Sequence, residues 1–143
     1  MSPPAIYIHE ATTDSEFDAV FAIREEVFQE EHQIKADDEL YGNDHISHHF
    51  LAEVDGQFVG TGRWRISLGG KVRMERLAVR PAFRGRGIAR VLMEHMLRRV
   101  PQNREVYLHA PLDTVGFYQK LGFRSRGDSF LEAGLEHIEM SKM

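Results

Sequence analysis

Residues 84–89 read Arg-Gly-Arg-Gly-Ile-Ala and follow the apolar run Leu77-Ala78-Val79 and the turn Arg80-Pro81. A small-residue loop that opens a helix presents several unpaired backbone N–H groups in one direction. The helix adds its positive dipole end, so the site suits a phosphate or pyrophosphate. Gly85 and Gly87 let a ligand approach the backbone where a Cβ would collide. A P-loop is excluded because no lysine in the chain is followed by Ser or Thr, and a dinucleotide fingerprint is excluded because Arg90 stands at the third glycine position. The same residues also read as an Arg/Gly turn that caps a core helix. His45, His48 and His49 invite a zinc reading, but on a strand 45 and 49 share a face while 48 points the other way. No carboxylate is spaced as in a zinc protease, so no metal is expected.

With the strand before it and the helix after it, Arg84-x-x-Gly87-x-Ala89 resembles the acyl-CoA pyrophosphate loop of the GNAT superfamily of N-acetyltransferases, [Q/R]-x-x-G-x-[G/A]. Residues 107–123 (YLHAPLDTVGFYQKLGF) resemble its second signature, an apolar strand, a short helix and Phe117-Tyr118-x-x-Leu121-Gly122-Phe123. The tail EAGLEHIEMSK is similar to its closing strand. Val27-Phe28-Gln29-Glu30-Glu31-His32 is similar to a V-F-x-x-E-Q segment of one branch, with His32 in place of the Gln. The likeness covers nearly the whole chain.

The resemblance implies transfer of an acetyl group from acetyl-CoA to a primary amine by direct attack through a tetrahedral intermediate, with no metal. Backbone N–H groups of Arg84, Gly85, Arg86, Gly87, Ile88 and Ala89 would hold the pyrophosphate, with the arginine side chains adding contacts. Leu77, Ala78 and Val79 would pair with the pantetheine arm as an added strand. The thioester carbonyl is expected near the Val79 N–H, which would stabilise the oxyanion. Tyr118 resembles the tyrosine that assists the departing thiolate. As plain structure it is a buried tyrosine supporting its helix. The family often carries Asn or Gln near the start of this helix to contact pantetheine; here Pro111 stands there, with Asp113 two residues later.

A lysine-like amine has a pKa near ~10.4, so a base is needed. Glu75 is the candidate, because a residue two before Leu77 projects from the same strand face as Leu77 and Val79. It also reads as a glutamate paired with Arg73 or Arg76. Glu31 is the second candidate. The acceptor site is assigned to Arg24, Phe28 and Glu31. Arg24 falls on the inner stripe of the first helix, either as an ion-paired arginine or facing the substrate cleft.

The elements that must position these residues are legible. Ala5–Glu10 alternates as a strand, and Thr13-Asp14-Ser15-Glu16 is a capping box that starts a helix with Phe17, Val20, Phe21, Val27 and Phe28 inside. Residues 35–47 read as a loop. Strands 49–54 and 57–66 meet at Asp55-Gly56, and Gly69-Gly70 leads into strand 71–79. A helix over about 87–100 ends at Pro101, and then come strand 105–110, helix 112–120, strand 123–126 and strand 135–140. This order gives an α/β (α+β) fold in one GNAT-like domain, residues 1–143. Its mixed, mostly antiparallel sheet has about seven strands, helices on both faces and a splay between strands 4 and 5.

The chain has 143 residues, no cysteine and a net charge of −4. Disulfides, a Cys-based metal site and a thiol nucleophile are excluded. No apolar run approaches a membrane span, and the N-terminus has no secretory pattern, so a cytoplasmic enzyme is expected. Residues 1–60 hold fourteen of the twenty-two acids and only two bases, whereas nine arginines lie between Arg73 and Arg104. The arginines surround the phosphate-type loop without interleaved aromatic residues, which favours a polyanionic small molecule over nucleic acid. Glu30, Glu31, Asp37, Asp38, Glu39 and Asp44 suggest a cationic acceptor on a small molecule or peptide, and a solvated acidic loop looks the same. A homodimer is compatible with this reading; nucleic acid and membrane are not expected partners. The alternative function is a non-catalytic acyl-CoA sensor on the same fold, which would keep residues 84–89 without needing Tyr118 or a base.

Overall fold

A computed structural model describes residues 4–31 and 42–143, and the side chains of all of these except 29–31. Strands β1 (Tyr7–Glu10), β2 (His48–Val54), β3 (Gln57–Ile66), β4 (Val72–Val79), β5 (Val106–Pro111), β6 (Arg124–Glu132) and β7 (Leu135–Lys142) form one sheet in the order β1-β2-β3-β4-β5-β7-β6. Every neighbouring pair is antiparallel except β4–β5, which is parallel. The helices are α1 (Asp14–Arg24), α2 (Ile88–Arg99) and α3 (Val115–Lys120).

The local chemistry of each element explains its start and finish. Thr13 caps α1: its hydroxyl accepts from the Glu16 N–H at 3.2 Å, and the Glu16 carboxylate accepts from the Thr13 N–H at 2.9 Å. Hydrogen bonds from the Thr12 N–H, then the Thr13 N–H and hydroxyl, lower the Glu16 carboxyl pKa to about 2. The inward stripe of α1 is Val20, Ile23, Arg24 and Val27, the i, i+3, i+4, i+7 spacing of a helix face. Phe21, expected inside, is 37 % exposed. Beyond Arg24 the chain widens into a π-helix over Glu25–Glu31. The β2–β3 turn at Asp55-Gly56 has φ of 52° and 78°, as a two-residue hairpin requires. Ala133-Gly134 makes the same turn between β6 and β7, which extends β6 six residues past the expected end at 126.

Two features of β4 set the geometry of the site. The first is a bulge. Arg63 pairs with Glu75 and Thr61 with Ala78, so Gly62 on β3 faces two residues, Arg76 and Leu77, on β4. Arg76 takes the extra step with φ of 57°. Before the bulge, Glu75 shares a face with Arg63. After it, Ala78 keeps that face and Leu77 and Val79 turn to the other. Ala78 packs with Val20 and Ile23 of α1, whereas Val79 packs with Ile88 of α2. Glu75 therefore does not share a face with Leu77 and Val79, contrary to the expectation from simple alternation.

The second feature is a fork. The β4–β5 pairing runs only through Val72–Val106 and Arg73–Tyr107. From Met74 onward the two strands separate, and the gap opens toward the C-terminal ends of both. The face carrying α2 and α3 holds the larger core, with Trp64, Met74, Leu92, Met96, Leu108, Tyr118 and Phe123. The opposite face is covered by α1 over β2, β3 and β4.

Candidate active site

The loop after β4 leaves the fork and returns as α2. A short 3-10 turn, Pro81–Phe83, uses the Phe83 and Arg84 N–H groups on the Arg80 and Pro81 carbonyls. The Arg84 N–H is thus spent, contrary to its expected role. The N–H groups of Gly85 through Arg90 take no backbone acceptor among the described residues, and Gly87 caps α2 without a side-chain hydrogen bond. Gly85 and Gly87 both lie at φ of 78°, the left-handed region that favours glycine. A Cβ at Gly85 would meet nothing, so the backbone turn, not crowding within the protein, explains the glycine. Backbone N–H groups gathered at a helix start are an arrangement suited to an anion.

The β4 edge leads into this loop. The Arg80 N–H bonds the Val59 carbonyl of β3 at 2.8 Å. Successive backbone groups on a strand point to opposite edges, so the Val79 N–H faces the fork. The Arg84 Nε donates to the Val79 carbonyl at 3.0 Å, so an arm pairing along Leu77–Val79 shares or displaces that contact. Arg86 lies over the Phe83 ring, 5.1 Å from its centroid.

Tyr118 sits on α3, packed edge-on against Phe117 and Phe123. Its side chain is buried, and its hydroxyl is not among the fully enclosed polar atoms that lack a partner. Burial alone pushes the hydroxyl well above the usual tyrosine range, so it keeps its proton.

Glu75 occupies a different setting from that expected of a base. Its carboxylate is 4 % exposed and accepts from Arg65 Nε at 2.7 Å and Arg63 Nη2 at 3.1 Å, with Arg73 Nε at 3.2 Å. Burial raises its pKa, but the Arg65 hydrogen bond and the charges of Arg63, Arg73 and Arg65 outweigh it, and the net shift is downward. Glu75 is the anchor of an arginine cluster. Arg24, almost fully buried, pairs with Asp44 at 2.9 Å, and Arg63 pairs with the same carboxylate. Asp44 is thereby committed to structure. Phe28 is half-buried against the α1 core. Glu31, together with residues 32–41 and their acids Asp37, Asp38 and Glu39, lies outside what the structure describes at side-chain level. His48 stacks on Trp64 on one face of the sheet, while His49 is buried on the other with its ring against the Asp44 carbonyl. Burial first, and then the neighbouring guanidiniums of Arg24 and Arg63, lower the His49 pKa.

A further cluster carries no motif in the sequence. His109 of β5 has Nδ1 3.0 Å from Arg73 Nη2 and 3.1 Å from Glu132 Oε1 of β6. The signal available was positional only: His109 lies two residues past the last β4–β5 pair, on the face of Tyr107.

The sheet thus forks beside the Gly87 start of α2, and Tyr118 sits on α3, which packs against β5 and β6. The chain belongs to the GNAT acetyltransferase family: the model for the acetyltransferase (GNAT) domain matches residues 10–143. The uncharacterized N-acetyltransferase YjcF of Bacillus subtilis (strain 168) is 30% identical over 135 residues, covering 92% of this chain and 96% of that protein. The solved structure of an acyl-CoA N-acyltransferase from Pseudomonas aeruginosa superposes with a TM-score of 0.84 at 27% identity, covering 99% of this chain and 100% of that one. Escherichia coli ElaA superposes with a TM-score of 0.85 at 25% identity, covering 97% and 100%.

Proposed function

We propose that this protein transfers the acetyl group of acetyl-CoA to a primary amine by direct attack. The carrying observation is the fork that runs from the parallel β4–β5 pairing into the free N–H groups of residues 85–90. In this reading Gly85, Arg86, Gly87, Ile88 and Ala89 hold the pyrophosphate, and Leu77, Ala78 and Val79 line the pantetheine arm. The Val79 N–H faces the thioester oxygen and offsets the charge that develops there. The amine enters from the α1 face, beside Arg24 and Phe28. Tyr118 meets the sulfur from the opposite wall. The acceptor is the amine of a small molecule or peptide, and the acids of the first sixty positions favour one with a second positive charge.

Acetyl-CoA is expected to raise the melting temperature, because a ligand that binds only the native state stabilises it by mass action. Gly87→Glu places bulk and negative charge in the cradle and is expected to abolish the shift. An unchanged shift in that variant places the cofactor elsewhere.

A further inference from the structure

One guanidinium stands where two parts of the proposed site meet. Arg63 of β3 is 1 % exposed, and its two terminal nitrogens reach different carboxylates. Nη2 donates to Glu75 Oε1 of β4 at 3.1 Å. Nη1 donates to Oδ1 of Asp44, which opens the 3-10 turn leading into β2. Asp44 in turn accepts from Arg24, in the last turn of α1, at 2.9 Å. Asp44 and Glu75 repel each other as carboxylates, and the guanidinium between them makes their approach favourable. A planar fork with donors on two arms suits that task. A lysine ammonium, a single point charge on a flexible stem, does not reproduce it.

Each end of this bridge bears on a part of the site. Arg63 and Glu75 are the last regular β3–β4 pair before the bulge, and Arg76 then takes its left-handed step. A non-glycine residue holds such a conformation only where its surroundings over-determine it. Here Glu75 fixes one side of the step through Arg63 and Arg65, and Ala78, packed with Val20 and Ile23 of α1, fixes the other. The step sets the course of residues 77–79, and with it the direction of the Val79 N–H. At the other end, Asp44 holds the last turn of α1, beside which the amine enters in the acyl-transfer reading. Resting on that reading, we propose that Arg63 is a positioning residue: through Asp44 and Glu75 it fixes the amine's wall on α1 against the β4 edge that faces the thioester. Buried as it is, it acts through these partners and not by contact with either reactant. Reaction between two bound groups depends steeply on their relative placement, and an error of about 1 Å costs on the order of 10²-fold in rate.

A purely structural ion cluster and a positioning bridge differ in what their loss changes. Loss of the first lowers the melting temperature and leaves turnover per folded molecule alone. Loss of the second lowers kcat in fully folded protein while acetyl-CoA binding is kept, because the bridge makes none of the backbone contacts that shape the loop before α2. Thiol release from acetyl-CoA is followed with spermidine, L-lysine and a lysine peptide as probe amines, well below each variant's melting temperature. Arg63→Lys is expected to lower kcat on the order of tenfold or more and to leave the acetyl-CoA dissociation constant within about threefold of wild type. Asp44→Asn and Glu75→Gln open the bridge at either end, and each is expected to lower kcat. Their double variant is expected to lose clearly less than the product of the two single losses, since one bridge is broken only once. These two variants carry the test if Arg63→Lys fails to fold. Without any amine, Asp44→Asn is expected to move the backbone amide resonances of residues 76–79, across the bridge from the substitution; where none of the probe amines is acetylated, these resonances decide alone. A kcat within about threefold of wild type in Arg63→Lys, single losses that multiply, or resonances of residues 76–79 unmoved by Asp44→Asn each overturn the proposal. Absence of any acetyl-CoA melting shift in the wild type instead removes the reading on which it rests.

Discussion

At the scale of single residues, the structure separates groups that can change protonation from groups that cannot. Tyr118 illustrates the distinction. An alkyl thiol such as cysteine titrates near ~8.5 and an ordinary tyrosine near ~10, so full proton transfer from tyrosine to a thiolate is already uphill. Burial raises Tyr118 further. Its contribution in the proposed reaction is therefore a hydrogen bond to the departing sulfur from a hydroxyl that stays protonated. Tyr118→Phe is expected to leave acetyl-CoA affinity nearly unchanged and to lower turnover on the order of tenfold or more, since it removes a contact made chiefly with the leaving group. Steady-state kinetics together with a binding isotherm check this, and unchanged turnover makes Tyr118 a packing residue only.

Glu75 belongs to the other class. Removing one partner of a buried ion cluster leaves uncompensated charge, which typically costs about 3–5 kcal/mol. Glu75→Ala is expected to lose stability on that order in urea unfolding at neutral pH, and Glu75→Gln less, because the amide oxygen still accepts from an arginine. The pH dependence follows from the direction of its shift. A carboxyl whose folded pKa lies below the ordinary value of 4.5 stabilises the fold above that pH, and this contribution is lost as pH falls through the folded value. Wild-type stability should therefore fall below about pH 4.5 more steeply than that of Glu75→Gln. Equal slopes would show that the cluster contributes no linkage.

At the scale of elements, much was legible because each signal was local. The capping box at Thr13–Glu16, the Asp55-Gly56 turn, the strand before the Gly85–Gly87 loop and the helix after it are written in neighbouring residues, and each is present. What the sequence did not show depends on partners far along the chain. A bulge is defined by the strand opposite, and nothing in Met74–Val79 announces that Arg76 will take a left-handed step. That one residue reverses the side-chain alternation and carries Glu75 away from the face of Leu77 and Val79. The Ala133-Gly134 turn was hidden for a related reason: alanine is an unusual choice at positive φ, and the pairing of β6 with β7 imposes it. His109 was invisible because Glu132 and Arg73 reach it only through the sheet order β4-β5-β7-β6.

At the scale of the molecule, the fork divides the sheet into a β1–β4 part that carries the loop and α2, and a β5–β7 part that carries α3 and Tyr118. Two backbone register pairs and the Arg73–His109–Glu132 contacts join the parts along the sheet, and the shared core of Val72, Met74, Leu108 and Phe123 joins them beneath it. A ligand lying in the fork touches both parts, so its binding energy should couple them. At about one hundred times its dissociation constant, acetyl-CoA would stabilise the native state by roughly 2.7 kcal/mol. For a domain of this size that corresponds to an upward shift of the melting temperature of roughly 5–11 °C. The location of the stabilisation is the sharper test. Amide hydrogen exchange is expected to slow in three places on adding acetyl-CoA: residues 85–90, whose N–H groups gain an acceptor; residues 77–79 on the β4 edge; and residues 115–120 across the fork, whose own N–H groups gain none. Slower exchange in that last segment requires coupling through the ligand, because local opening follows the free energy of the cooperative unit to which a segment belongs. Protection confined to residues 85–90 would describe an anion site on a loop, not a cofactor laid along the fork.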